Sequence, residues 1–369
     1  MPDYYIGLMS GTSVDGVDGV LADFSLAAPR VIAHASAPMT AELRTALLEL
    51  NIPGPNELHR AALAGNALMR IYAAVVADLL ARSGVPAGAV RAIGAHGQTV
   101  RHRPGDFDTT GYTLQLCQPA LLAELTGIDV AADFRSRDVA AGGQGAPLAP
   151  FFHQGLFARP GENVGVLNIG GISNLTLLRA DGSMLGFDCG PGNCLMDAWC
   201  ARHTGKPYDG EGAWAATGKV LAPLLEAMLS EPYFAKPPPK STGRDLFSPS
   251  WLEQHLQEFA PAAAHDVQAT LAELTARACS ADVLRHEPSL RRLIVCGGGV
   301  FNSHLMGRIR KLLSGAQVSS SADWGLPPLQ VEATAFAWLA RKAVLREKLE
   351  LQTITGARGA RVLGCIYPA

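Results

Sequence analysis

Short apolar runs separated by glycine-rich polar turns open the chain. Tyr4 to Met9 reads as a β-strand. The turn Ser10-Gly11-Thr12-Ser13-Val14-Asp15-Gly16-Val17-Asp18 interrupts it, and Gly19 to Phe24 and Arg30 to Ser36 supply two further strands. Strand, tight turn, strand, strand predicts an antiparallel meander. The period then lengthens. From Glu57 to Ser83, Leu58, Ala61, Leu68, Ile71, Val75 and Leu79 fall largely on one stripe that Gly84 and Pro86 close, which predicts a long amphipathic helix. Strands are expected at Val90–Ala95, Tyr112–Cys117 and Asp129–Asp133, with a short helix at Pro119–Thr126.

A glycine-rich passage, Ala140 to Pro150, reads as the loop leaving a first domain, after which the opening pattern returns. Val164–Ile169, the turn Gly170-Gly171-Ile172-Ser173-Asn174, Leu175–Arg179, a hairpin at Asp181-Gly182 and Met184–Asp188 repeat strand, turn, strand, strand. Helices are expected near Asn193–Thr204, Trp214–Ser230, Pro249–Glu258, Asp266–Glu287, Asn302–Leu313 and Glu332–Leu349, with a strand at Arg292–Cys296. Two copies of one pattern predict two related α/β halves. The expected division is residues 1–140 and 141–351, with 352–369 returning to the first half through a strand at Val362–Tyr367.

Composition narrows the function classes. The 369 residues are 48% hydrophobic and 17% charged, which excludes a disordered chain. A net charge of −2 argues against a dedicated nucleic-acid or membrane-surface protein. The amino terminus has no basic segment leading into an apolar one, and the apolar stretch at Ala73–Leu80 is broken by Asp78. Neither a signal peptide nor a membrane span is therefore expected. Seven cysteines without a CxxC pair fit the thiols of a reducing cytoplasm. His102, His153 and His203 lack metal-ligand spacing, so no zinc site is assigned.

The turns carry the candidate chemistry. In the first, Gly11 and Gly16 let the backbone approach an anion, with Thr12, Ser13, Val14 and Val17 completing a nest. Asp15 and Asp18 would repel a bare phosphate, but they suit a magnesium ion standing between carboxylate and phosphates, with Asp15 reaching the metal through water. The sequence GxxxxGK[ST] of a Walker loop is absent. A decorated β-turn would use the same residues. The second turn, with Asn168, Gly170, Gly171 and Ser173, repeats the architecture. Gly297-Gly298-Gly299 leaves a strand for a helix, where an adenine or ribose could pack closely.

Two phosphate hairpins and a late glycine turn resemble the acetate and sugar kinase–Hsc70–actin superfamily. Within it, several long blocks resemble the anhydro-N-acetylmuramic acid kinase family. They are Gly7–Asp18, Ala95-His-Gly-Gln-Thr-Val-Arg101, Asp133–Asp138, Gly142–Pro147, Asn168–Asn174, Phe187-Asp-Cys-Gly-Pro-Gly-Asn193, Lys240-Ser-Thr-Gly-Arg244 and Cys296–Gly299. The resemblance runs from about Tyr5 to Gly364, departing at Cys189, where threonine is usual.

This resemblance implies two ribonuclease-H-like domains with a nucleotide cleft between them. It also implies a homodimer that uses ATP and Mg2+ to phosphorylate O6 of 1,6-anhydro-N-acetylmuramic acid while water opens the anhydro bridge, in cell-wall sugar recycling. It makes Asp188 the general base and Glu332 a second acid that orients the same water. Read alone, Asp188 caps the helix near Asn193, and Glu332 is a favourable charge at a helix amino terminus. His96, Gln98 and Thr99 follow a buried strand and are expected, with Ser13, in the sugar pocket. Arg135 is expected on an anionic group of the substrate or nucleotide. A backbone-satisfied histidine and a structural ion pair remain open for His96 and Arg135. Lys240–Arg244 reads either as a mobile cleft loop or as a solvated turn. An ordinary hexose or amino-sugar kinase and a nucleotide-dependent sensor without sugar turnover are the competing functions.

Overall fold

The computed structural model describes residues 1–11, 14–26, 28–243, 246–259 and 261–369. Its strands are β1 (Tyr4–Met9), β2 (Gly16–Asp23), β3 (Arg30–Pro38), β4 (Val90–Ala95), β5 (Gln98–Pro104), β6 (Gly111–Leu116) and β7 (Val130–Ala132). They continue with β8 (Val164–Ile169), β9 (Ile172–Leu178), β10 (Met184–Pro191), β11 (Arg292–Cys296), β12 (Gln317–Ser320) and β13 (Cys365–Tyr367). The chain divides into two units, residues 1–156 with 330–369, and residues 157–329.

The first unit holds a sheet in the order β13-β7-β4-β1-β2-β3, and the second a sheet in the order β10-β9-β8-β11-β12. β1, β2 and β3 form an antiparallel meander, and β4 and β7 continue it in parallel on the other side of β1. β8, β9 and β10 do the same, with β11 and β12 as the parallel strands. Setting aside β13, the two units share one pairing scheme, so the repeated pattern marks two ribonuclease-H-like domains of an α/β protein. The β5–β6 hairpin stands apart from both sheets.

Each sheet is buried by helices that its own unit supplies. The helix Glu57–Ser83 turns Leu68, Met69, Tyr72, Val75, Val76 and Leu79 into the first core. Its length and apolar character alone would suffice to cross a membrane. The tertiary fold instead lays its stripe on the sheet, where Val75 and Leu79 meet the bare face of Gly19. On the other face, the helix Val331–Val344 packs almost backbone to backbone. A Cβ on Gly7 would stand 1.9 Å from the Ala333 carbonyl oxygen, and one on Gly94 would stand 2.0 Å from that of Phe336. Burial of Trp199, Trp251, Phe247 and the helix Ala264–His286 builds the separate core of the second unit.

The unit boundaries differ from the expected divisions at 140/141 and 351/352, for identifiable reasons. The glycine-rich passage does not leave the first unit. Asp138 accepts from the Gly145 amide at 2.6 Å and from the Thr355 hydroxyl at 2.6 Å, and the helix Ala149–Phe157 follows. The last long helix belongs to the first unit because Gly7 and Gly94 admit it onto that sheet. β13 then pairs antiparallel with β7. The helix expected over Trp214–Ser230 is a single turn at Ala215–Thr217 followed by a helix at Ala222–Leu229. Gly218 separates the two, its α-carbon face lying against the His265 carbonyl.

Candidate active site

In the first unit the candidate residues collect at the carboxyl ends of the parallel strands β1, β4 and β7, where α/β sheets place ligands. The turn after β1 is tied to the turn after β4. The Ser10 hydroxyl donates to the Gly97 carbonyl at 2.9 Å, and Gln98 Nε2 donates to the Gly11 carbonyl at 3.1 Å. Val14 has φ of 53° while its side chain is 3% exposed in the core. A β-branched residue in the left-handed region costs on the order of 1–3 kcal/mol, so packing and hydrogen bonding hold this turn against its local preference. Gly16 has no room for a side chain, since a Cβ would lie 2.9 Å from the Ala37 carbonyl.

These placements refine the first-turn expectations. Thr12 and Ser13 lie outside the described residues. The side chains of Val14 and Val17 are buried in the core, leaving only their main chain for a phosphate. Asp15 is exposed in the turn. Asp18 lies within β2, which begins earlier than expected, and its carboxylate is 3.5 Å from His34 Nε2. The turn is thus tighter than the sequence suggests, and Asp15 is its own carboxylate.

His96 follows β4 directly, its ring tilted against that of Phe336 with centroids 4.8 Å apart. Arg135, just after β7, brings Nε and Nη2 to within 3.3 and 3.1 Å of His96 Nε2, while Nη1 donates to the Gly145 carbonyl at 2.9 Å. Burial, reinforced by the Arg135 guanidinium, pushes the His96 pKa down to about 3; the backbones of Gly97 and Ser10 oppose this more weakly. The ring is therefore neutral, and the arginine donors on Nε2 assign its proton to Nδ1. Nδ1 and Gln98 Oε1 are both buried without a hydrogen-bond partner, on residues 6% and 1% exposed. An orphaned donor and an orphaned acceptor two residues apart, on either side of Gly97, suit a polar ligand. Thr99 is partly buried in β5 and accepts from Gln115 Nε2 at 3.2 Å.

Glu332 is exposed in the first turn of the helix Val331–Val344, one turn before Phe336. It therefore belongs to the first unit, not to the second as the expected boundary implied.

In the second unit, the turns after β8 and β11 lie side by side because Asn168 and Cys296 are register partners. A Cβ on Gly297 would strike Asn168 Oδ1 at 2.4 Å, and one on Gly299 would strike the Ile169 side chain at 2.3 Å. Asn168 Oδ1 is buried without a hydrogen-bond partner. Gly298 begins a short 3-10 turn, and Asn302 caps the helix Ser303–Leu312 through the Leu305 amide at 2.9 Å. The carbonyls of Gly170 and Gly171 accept from the amides of Asn193, Gly192 and Cys194 at 2.8–3.1 Å. The second hairpin is thereby fixed to the start of the helix Cys194–Thr204. Ser173 departs from its expected role: its hydroxyl is fully buried, donating to the Gly190 carbonyl and accepting from Cys279 Sγ. It joins β9 to β10 rather than facing a ligand.

Asp188 ends the regular pairing of β10, at a bulge between Asp188 and Gly190. Its amide donates to the Lys240 carbonyl at 3.1 Å, its carbonyl accepts from the Tyr233 hydroxyl at 2.7 Å, and Oδ2 accepts from the Thr242 amide at 3.1 Å. Burial and the neighbouring Asp188 charge keep the Tyr233 phenol protonated. The side chain is thus positioned from the 240–242 segment. The first helical amides beyond it are taken by Gly170 and Gly171.

Within the 240–244 block, the Lys240 side chain is buried while Ser241 is exposed, and Arg244 lies outside the described residues. Lys240 is 7% exposed and pairs with Asp282 at 3.0 Å. Sequence reasoning singled out neither Asp282 nor Tyr233, because both sit in helical segments with no local motif; only the tertiary fold brings them to Asp188.

Duplicated sheets with glycine turns at the carboxyl ends of their parallel strands, and a pinned strand-end carboxylate, define an α/β protein of two related units with candidate ligand turns in each. The family profile described as "Anhydro-N-acetylmuramic acid kinase" matches residues 3–369. A protein of that name from Variovorax paradoxus (strain S110) is 63% identical over 372 residues, covering 100% of this chain and 99% of the relative. Another of the same name, from Albidiferax ferrireducens, is 60% identical with 100% of both chains covered. One from Cupriavidus metallidurans is 58% identical over 99% of this chain and 98% of its own length. The chain belongs to the anhydro-N-acetylmuramic acid kinase family.

Proposed function

We propose that the protein converts 1,6-anhydro-N-acetylmuramic acid, ATP and water into N-acetylmuramic acid 6-phosphate and ADP. The observation that carries this reading is 63% identity across essentially the whole of a relative that bears the corresponding name. In the reaction, a water oxygen bonds to C1 as the C1–O6 bond breaks. O6 takes the γ-phosphoryl group as the bond to the ADP oxygen breaks, and the water gives up one proton. Asp188 receives that proton. Its attachment through Thr242, Lys240 and Tyr233 supports the role, since a base must be held within reach of the proton it takes. The family resemblance makes Glu332 a second acid.

The sugar is held by His96, Gln98, Thr99 and Arg135. The two orphaned polar atoms on His96 and Gln98 support this assignment. Gly11, Gly16, Gly170 and Gly171 are assigned to the phosphates and Gly297–Gly299 to the adenosine; bare backbone is required at Gly16 against the Ala37 carbonyl, at Gly297 against Asn168 and at Gly299 against Ile169. An exposed Asp15 beside a glycine turn suits magnesium, which prefers carboxylate, phosphate oxygen and water. The ion would neutralise developing phosphate charge. The same family reading makes the protein a cytoplasmic homodimer.

The test uses magnesium–ATP with anhydro-N-acetylmuramic acid, N-acetylmuramic acid and N-acetylglucosamine in heavy-oxygen water. Label at C1 of a phosphorylated product formed from the anhydro sugar is expected. Unlabelled product would favour an ordinary sugar kinase, and nucleotide binding without any product would favour a sensor. Asp188→Asn is expected to lower kcat by at least about 10²-fold, as for loss of a general base, with nucleotide affinity retained.

A further inference from the structure

The Lys240–Asp282 pair has no part in the reaction as written, yet it is buried directly behind Asp188. Side-chain exposures of 2% and 4% bury both charges, with Lys240 Nζ 3.0 and 3.3 Å from the Asp282 carboxylate oxygens. Nζ also lies 5.4 Å from the Phe187 ring centre and 5.1 Å from that of Tyr233. Arg285 approaches Asp282 from the solvent side at 3.5 Å. Lys240 thus reaches from its own segment into the helix Ala264–His286, over the residue that precedes the proposed base and under the tyrosine that bonds its carbonyl.

The main chain of this segment faces Asp188. The Lys240 carbonyl accepts from the Asp188 amide, and two residues on the Thr242 amide donates to Asp188 Oδ2. Thr242 Oγ1 is buried without a hydrogen-bond partner, beside the carboxylate that its own amide binds. A buried ion pair is a poor source of net stability, because desolvation offsets much of its attraction. What it supplies well is a fixed geometry, since removing one partner strands the other charge.

We propose that Lys240, anchored by Asp282, is a positioning residue that locks the 240–242 segment so that Thr242 holds the Asp188 carboxylate in its reactive orientation. The inference rests on the reading of Asp188 as the base. Replacing the pair by apolar side chains of similar size keeps the core filled while removing the directional anchor. Thermal melting, ADP release, and KM for sugar and nucleotide are therefore compared in the wild type, Lys240→Met, Lys240→Arg and the double variant Lys240→Met/Asp282→Leu.

The double variant is expected to melt cooperatively near the wild-type temperature, because such replacements are commonly neutral or stabilising. Its kcat is expected to fall by about 10²-fold, the scale of a misplaced catalytic group, with KM for ATP changing by less than about threefold. Lys240→Arg is expected to recover at least about tenfold of the kcat that Lys240→Met loses, since it restores a cation opposite Asp282. A folded double variant with kcat within about threefold of wild type would overturn the proposal, as would equal losses in Lys240→Arg and Lys240→Met. Asp188→Asn, assayed alongside, separates the two ideas. Near-wild-type turnover there removes the base reading itself, whereas an inactive Asp188→Asn with an active double variant removes only the anchor.

Discussion

Gly94→Ala tests whether the helix Val331–Val344 is seated by the missing side chains of β1 and β4. Gly94 is the register partner of Gly7 across the parallel pair, and the helix backbone lies on both. A Cβ at residue 94 would meet the Phe336 carbonyl oxygen at 2.0 Å and its carbon at 2.7 Å, with Ala340 Cβ at 3.1 Å. Ordinary contact begins near 3.4 Å, so the oxygen and Cβ must separate by 3.4 − 2.0 = 1.4 Å. The obstacle is helix backbone, which cannot rotate away like a side chain, so the sheet and helix must move apart. That places the cost at about 3 kcal/mol, the upper part of the usual overpacking range.

The first unit contains 156 residues from the amino-terminal segment and 40 from the carboxyl-terminal one. For a body of that size, about 3 kcal/mol lowers Tm by about 6–12 °C. The displaced helix carries Glu332 and the Phe336 ring that packs on His96, so kcat/KM for the sugar is expected to fall by on the order of 10²-fold. Calorimetry and ADP release at a temperature where both proteins are folded measure the two effects. Gly88→Ala is the control, because nothing stands within 4 Å of its added carbon; its stability should change by no more than about 0.5 kcal/mol. A Gly94→Ala protein melting within about 2 °C of wild type would refute the packing argument.

Two further outcomes follow from individual residues. His96 and His153 are buried with pKa values pushed down to about 3, by desolvation in both and by Arg135 as well at His96. Below the ordinary value of 6.5 the unfolded chain binds protons at these sites and the folded chain does not. Stability is therefore expected to fall as pH drops from 6.5 towards 3, by about 1.4 kcal/mol per pH unit for each histidine. Denaturant midpoints between pH 7 and 5 measure the slope, and His96→Asn should remove one histidine's share; an unchanged slope would contradict the burial. Gly307 is exposed in the helix Ser303–Leu312 with nothing within 4 Å of an added Cβ. Gly307→Ala should raise stability by about 0.5–1 kcal/mol, read from the denaturant midpoint of the second unit, and a loss would contradict the open environment.

Much of the fold was legible because alternation and turn chemistry act locally. β1, β4, β8 and β11 and the helices Glu57–Ser83 and Pro119–Thr126 fall where the pattern puts them. The β5–β6 hairpin is only half visible in the sequence, since Tyr112–Cys117 reads as a strand while Gln98-Thr99 is assigned no element and becomes part of β5 by pairing with Leu116 and Gln115. Ser173 looked like a phosphate ligand because serine beside two glycines commonly is one. Its burial depends on β10 and on Cys279, residues that the motif does not contain. The burial of Lys240 is equally invisible to local pattern, because its partner Asp282 lies 42 positions away in the helix Ala264–His286.

By itself the sequence determined the duplicated strand order, the glycine turns and the carboxylate at the end of β10. Each of these is set by backbone preference and by side chains within a few residues. Only the tertiary structure decided which glycines are empty because another backbone passes there, which histidine loses its charge, and which lysine stands behind Asp188. Close approach, desolvation and buried pairing depend on neighbours remote in the chain. Such terms come into existence when the sheet and its helices close on one another.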